Sequence, residues 1–307
     1  MAEKEIGVVA GNMPSVRRIT YDVDGQALSA LVAAAEAPRA IVIALHGGGH
    51  DAQYWHHPLA RGCSLLTLGA TLGFEVVALD RPGNGESQAA FPEGLAFDRQ
   101  IDLLFSLVDA HYRARGLPIF LIGHSLGAGL AAHAAIDPRG GIFAGIDVAG
   151  MPIRFVPMQL EMMGQRAAEA RRAGHACLAP LTPSAMRLMF FGDEGSFDPN
   201  VVERDPVIHA TPVVETEAAR EIVEQAEALV RALDLPVQWT FAAQERSSLF
   251  DADILACVTE WLSANRHARV VLQPDSGHNI SLHHVGRAYH LRALAFFEEM
   301  LARRLPR

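Results

Sequence analysis

Five consecutive residues, Gly123-His124-Ser125-Leu126-Gly127, constrain this chain more than any others, because they directly follow the apolar run Ile119 to Ile122 and directly precede an Ala/Gly-rich stretch. A serine on so sharp a strand-to-helix turn takes a strained backbone that lifts its hydroxyl clear of the sheet, and a glycine on each side avoids side-chain collisions. Ala128, Gly129, Ala131 and Ala132 are small enough for the following helix to lie close on neighbouring strands, its N-terminus aimed at the serine. The five-residue pattern alone arises by chance in many chains. The strand before it and the small-residue helix after it make it specific.

Along the rest of the chain short apolar runs alternate with longer helical patterns, with no internal repeat and no low-complexity segment, as in an α/β sheet. Residues 15 to 34 read as two strands turning at Asp24-Gly25, a pair suited to a tight hairpin. Ala40 to His46 is a nearly continuous apolar run, as a central strand covered on both faces requires, and Glu75 to Asp80 and Pro118 to Ile122 repeat the design. Leu103, Leu104, Leu107 and Val108 recur at helical spacing within 97 to 115. Strands at 144 to 149, 237 to 243 and 269 to 273, with a closing helix from about 285 to 304, complete a mostly parallel sheet flanked by helices.

The alternation breaks from 151 to 235, where the content reads as helical rather than stranded. Thr182-Pro183 looks like an N-cap with proline in the first turn. Thr216 is placed to cap a second helix whose Ile222, Val223, Ala226, Leu229, Val230 and Leu233 form one apolar stripe. The domain reading is therefore a core of residues 1–150 and 236–307 with 151–235 as an inserted helical lid. Met151, Met158, Met162, Met163, Met186 and Met189 crowd the first half of that lid, and methionine moulds well to irregular apolar shapes. Met158, Met162 and Met189 are accordingly expected at the substrate, although such a stretch also serves as a lid's own core.

The 307 residues, half of them hydrophobic, suffice for one large core with a modest appendage. A net charge of −9 with scattered arginines argues against nucleic acid as a partner. Cys63, Cys177 and Cys257 are odd in number and widely spaced, which fits neither a disulfide framework nor a zinc site. Residues 1 to 15 lack the apolar run of a signal peptide, and no stretch approaches the roughly 18 to 20 apolar residues of a membrane span. A soluble, cytoplasmic protein is expected. No H-E-x-x-H spacing occurs, and the adjacent pairs His56-His57 and His283-His284 suit surface or pocket edges, so neither metal nor cofactor is expected.

A nucleophilic serine acting on a carbonyl needs donors waiting where the oxyanion forms. The N–H of Leu126 is one. The second is expected from His46-Gly47-Gly48-Gly49-His50, three glycines leaving an apolar strand at considerable entropic cost. Gly48 is the preferred donor, with Gly49 open, because two adjacent N–H groups of such a turn point into the site. Gly49, His50 and His124 are the expected substrate contacts on this side.

Taken together, the strand, the H-G-G-G turn, the L-D-R-P-G-N-G-E-S loop at 79 to 87 and G-H-S-L-G resemble the α/β-hydrolase superfamily over nearly the whole chain. The resemblance implies the α/β-hydrolase fold and a chain order of serine, acid, histidine, the acid after the penultimate strand and the histidine after the last. Ser276-Gly277-His278-Asn279 is similar to the family's G-H-N loop and implies His278 as the base to Ser125. For the acid the chain departs from the usual aspartate: Glu245 stands after the strand Val237 to Ala243, with Asp251 and Asp253 as near rivals and Asp147 as an outside candidate. A surface ion pair between Arg246 and Glu245 is the competing use of that carboxylate. Haloalkane dehalogenases and epoxide hydrolases of this fold use an aspartate nucleophile, so Ser125 excludes both. What remains is hydrolysis of a carboxylic ester or thioester of an apolar small molecule through an acyl-enzyme. Carbon-carbon bond hydrolysis ranks below it, since the Pro and elbow Asn usual there are replaced by His50 and His124. Some proteins of this fold keep the triad but serve as small-molecule receptors or run lyase or cyclisation chemistry.

Overall fold

The computed structural model of the chain describes residues 14–60, 62–204 and 208–304, so the expectation for residues 1 to 15 falls largely outside the described residues. β1 (Arg17–Val23) turns into β2 (Gln26–Ala34) through Asp24 and Gly25, both left-handed at φ 52° and 79°. β3 (Ala40–Leu45), α1 (Leu65–Thr71), β4 (Phe74–Leu79), α2 (Phe97–His111), β5 (Ile119–His124), α3 (Leu126–Ile136) and β6 (Phe143–Ala149) follow. The segment after β6 holds α4 (Pro157–Arg172), β7 (Cys177–Leu178), α5 (Pro183–Phe190), α6 (Asn200–Glu203), β8 (Thr211–Pro212), α7 (Val214–Glu224) and α8 (Ala226–Arg231). The chain then returns with β9 (Val237–Ala242), α9 (Ala252–Trp261), β10 (Arg269–Gln273) and α10 (Gly286–Ala302). The large sheet runs β1-β2-β4-β3-β5-β6-β9-β10, antiparallel at its β1-β2 and β2-β4 pairs and parallel from β4 onward.

The central strands read as unbroken apolar runs because both faces are covered. Ile41, Ile43 and Leu45 of β3 point toward Leu103 and Leu107 of α2, while Val42 and Ala44 point toward Leu65 of α1 and Phe297 of α10. Period-two alternation thus feeds two cores, each fully buried aliphatic side chain contributing about 1.5–3 kcal/mol. α3 is apolar all round and buried, and glycine lets it approach: a Cβ on Gly127 would lie 2.2 Å from the Leu45 carbonyl oxygen. Among the described residues no helix is long and apolar enough to cross a membrane.

Three local readings need correction. The segment 151–235 is not purely helical, because β7 and β8 pair antiparallel within it. Thr216 caps nothing: α7 begins at Val214, and the Thr216 hydroxyl donates instead to the Val213 carbonyl inside the first turn. The helix carrying Ile222 to Leu233 is not continuous but interrupted at Gln225, where α7 gives way to α8, although Ile222, Ala226, Leu229, Val230 and Leu233 are all buried in one core. Helices α1 and α9 are not individually placed by the sequence reading: α1 is capped by Ser64, which accepts from Thr67 N–H, and α9 by Asp251, which accepts from Ile254 N–H.

Candidate active site

Ser125 sits between β5 and α3 at φ 53°, ψ −118°, a left-handed backbone that non-glycine residues rarely adopt. Both flanking glycines are sterically required. A Cβ on Gly123 would lie 2.4 Å from the Gly127 carbonyl oxygen, as Gly127 is itself pressed on β3. Four loops converge here because each leaves the carboxyl end of a parallel strand, where ligands gather in open α/β sheets: residues 46–50 after β3, Ser125 after β5, Glu245 after β9 and His278 after β10.

His278 Nδ1 lies 2.7 Å from Glu245 Oε2, both side chains nearly fully buried. Glu245 Oε1 accepts from the N–H groups of Arg246, Ser247 and Ser248 at 3.0, 2.8 and 3.2 Å and from the Ser247 hydroxyl at 2.8 Å. Burial by itself would raise the Glu245 carboxyl, but the His278 charge and these donors outweigh it and hold it below the ordinary value. The Ser247 hydroxyl also lies 3.2 Å from His278 Nδ1. Its role escaped the sequence reading, although a serine pair just after an acid is a signal for such a turn. Arg246 ion-pairs with Asp193 rather than Glu245. The rival carboxylates are occupied elsewhere: Asp251 caps α9, Asp253 is exposed, and buried Asp147 accepts from Tyr289 OH and Gln238 Nε2, burial raising it to about 6.

His283 corrects the expectation of a pair at the surface or a pocket edge, since it neither is exposed nor lines the cavity shared by Ser125 and His278. It is buried, its Nε2 accepts from both Gly192 and Gly277 N–H at 3.0 Å, and Nδ1–H donates to the Asn279 carbonyl. Burial lowers it to about 4, keeping it neutral as this bonding requires. His283 therefore ties the His278 loop to the end of α5. His57 is likewise buried, while His284 is exposed.

The glycine turn packs against the elbow. A Cβ on Gly48 would lie 2.9 Å from Leu126 Cδ1, whereas one on left-handed Gly49 would face Thr211 Oγ1 at 3.0 Å, so the two glycines look in different directions. His50 Nδ1 lies 3.1 Å from the Gly48 carbonyl, and its ring packs edge-on against Tyr54. His124 stacks on Tyr54 at 4.5 Å between ring centroids, with Nε2 2.9 Å from the His278 carbonyl oxygen. Behind the turn lies fully buried Arg81. Its Nε donates to the His46 carbonyl at 2.8 Å, Nη2 to that of Gly47 at 3.3 Å, and the guanidinium ion-pairs with buried Glu215 of α7. The neighbouring Asp80 braces the same loop, accepting from Ala52 and Glu86 N–H and pairing with Arg18.

Ser125 and His278 line one cavity of about 110 Å³, together with Gly48, Gly49, His50, His124 and Leu126. The segment 151–235 supplies the facing wall, including Met162, Met163 and Met186. Of the three methionines expected at the substrate, two fall outside it. Met158 is 51% exposed: one residue back from cavity-lining Gln159, it is turned about 100° round α4 into solvent. Met189 is buried but away from the wall, where Met186 and Phe190, one helical turn apart, hold the facing stripe.

Residues 42–290 match the model of the Alpha/beta hydrolase family. Human protein phosphatase methylesterase 1 is 35% identical over 95 residues, which are 31% of this chain and 23% of that protein, so the match spans under a quarter of that relative's length. The fold is shared with a thermostable carboxyl esterase from Bacillus coagulans (TM-score 0.69, 18% identity, 94% of this chain and 99% of that chain). It is shared equally with a soluble variant of monoglyceride lipase from Saccharomyces cerevisiae (TM-score 0.69, 14% identity, 97% and 99%).

Proposed function

The chain belongs to the alpha/beta hydrolase family, and within it we propose a serine hydrolase that cleaves a carboxylic ester or thioester of an apolar small molecule through an acyl-enzyme. The observation that carries this reading is Ser125 on a strained turn, opening on the same cavity as His278 backed by Glu245.

Ser125 Oγ attacks the carbonyl carbon while His278 Nε2 takes its proton, and Glu245 holds the imidazole tautomer and stabilises the imidazolium. The oxyanion accepts from the N–H groups of Leu126 and Gly48; as the first residue of α3, Leu126 has an N–H outside the helix's own ladder. Collapse breaks the bond to the alcohol or thiol, which leaves with the proton from His278. Water, deprotonated by His278, then releases the acid and restores Ser125. Residues 151–235 act as the lid, with Met162 and its neighbours against the apolar part of the substrate.

Intact-mass analysis after exposure to a fluorophosphonate, followed by a panel of esters and thioesters, tests the reading. Ser125 should gain one adduct, and Ser125→Ala should lose both the adduct and roughly four to six orders of magnitude in kcat. Labelling that persists in Ser125→Ala removes this serine from the mechanism. Absence of labelling and turnover, with tight ligand binding, would replace hydrolysis by a receptor function.

A further inference from the structure

The lid-side wall of the cavity is not uniformly apolar. Gln159, Met162, Met163 and Arg166 of α4 all line it, and the seven residue steps from Gln159 to Arg166 extend about 10 Å along the helix. The N-terminal end of that stripe lies beside the Glu245–His278 pair: Val156 N–H donates to the carbonyl of Ser247, whose hydroxyl contacts both, Leu249 N–H donates to the Arg154 carbonyl, and Phe155 bridges to Ser248. Arg166 therefore stands at the far end, with the methionines between.

There, among the described residues, its guanidinium is anchored by one bond, Nη2 donating to the Ala179 carbonyl, which leaves most of its five N–H donors for another partner. Among the described residues no carboxylate lies within ion-pair distance of Arg166. Glu169, the carboxylate that acts on it electrostatically, is exposed, and Glu215, which also lines the cavity, is spent on Arg81. A half-buried cation on an apolar wall is held at a desolvation cost that an incoming anion offsets. Desolvation indeed lowers the Arg166 pKa. Gln159, also on this wall, is buried, and among the described residues its amide oxygen has no hydrogen-bond partner, so the wall holds a second polar group for ligand.

We propose that Arg166 is a specificity-determining residue that binds a carboxylate on the substrate, separated from the scissile carbonyl by an apolar chain that lies along Met162 and Met163. A single planar fork with one nitrogen already engaged matches the one charge and two oxygens of a carboxylate. This rests on the serine-hydrolase reading, and the test separates the two. In Ser125→Ala, where no turnover is needed, calorimetry should find the monomethyl esters of straight-chain dicarboxylic acids bound on the order of tenfold more tightly than the dimethyl esters. Arg166→Gln in that background should erase the preference, and Arg166→Lys, which keeps the charge, should retain part of it. Equal binding of the two esters, or a preference that survives in Arg166→Gln, overturns the proposal. In the enzyme with Ser125 intact, turnover without preference for the charged ester sinks the subsite and leaves the reaction standing. Arg166-dependent binding without turnover does the reverse.

Discussion

Glu245 and Asp251, rivals by position in the sequence, hold different partners in the structure, one an imidazole and the other a helix N-terminus. Glu245→Gln is expected to lower kcat by roughly two to four orders of magnitude, since the amide can present its NH₂ to His278 and disturb the tautomer. Asp251→Ala should instead cost about 1 kcal/mol of stability with kcat intact. Steady-state kinetics and urea midpoints on the two variants decide the matter, and the opposite pattern would reassign the acid. The elbow glycines give a second contrast. Gly127→Ala drives a methyl into the backbone of β3 and should destabilise by about 1–3 kcal/mol or more, whereas Gly164→Ala on α4 meets open space and should gain up to about 1 kcal/mol. A tolerant Gly127 would mean that α3 can lift off the sheet.

Two elements meet at Arg81 and Glu215: the loop after β4, which bears on the carbonyls of the glycine turn, and the first turn of α7. Gln100 Oε1 accepts from the same guanidinium at 3.2 Å. A buried pair of this kind is poor evidence of net stabilisation, but removing one partner strands a charge at about 3–5 kcal/mol. Glu215→Gln should therefore lower the denaturation midpoint and also reduce kcat, because Arg81 positions the His46-Gly47 backbone from which the Gly48 N–H projects. Thermal melts alongside kinetics measure both. A loss of stability without any change in kcat would confine Arg81 to packing.

For the molecule as a whole, pH is the sensitive variable. Burial lowers His283 to about 4 and His290 to about 3, and pushes His46 and His124 well below the ordinary value. The unfolded chain takes up protons at about pH 6.5 that the fold refuses, so stability is full above that value and declines as pH falls toward the folded pKa values, by about 1.4 kcal/mol per unit for each histidine. Asp147, raised to about 6, works in the opposite direction from about pH 6 to 4, and Asp80, also raised by burial, joins it, but they are two groups against these four histidines. The urea midpoint should thus fall steeply between about pH 6.5 and 4.5. A flat profile would mean that these histidines find water or protons in the native state.

Strand runs, the hairpin at Asp24-Gly25 and the elbow were legible in the sequence because each is a local constraint: alternating burial on one strand, or a backbone angle and a missing Cβ at one position. The loops that carry Glu245 and His278 were found differently, through the resemblance to the α/β-hydrolase superfamily, which implies an acid after the penultimate strand and a histidine after the last. Pairings between distant residues were not legible. Arg81 with Glu215, His283 with Gly192 and the anchoring of Arg166 at Ala179 each join residues that no periodicity relates. The absolute rotation of α4, which turns Met162 to the cavity and Met158 to solvent, is set by what the helix packs against, and a hydrophobic stripe broken by polar residues leaves that rotation open. Tertiary packing alone decides it, because burying Gln159 and Arg166 on the cavity face becomes favourable only once other parts of the fold, or a ligand, satisfy their polar atoms.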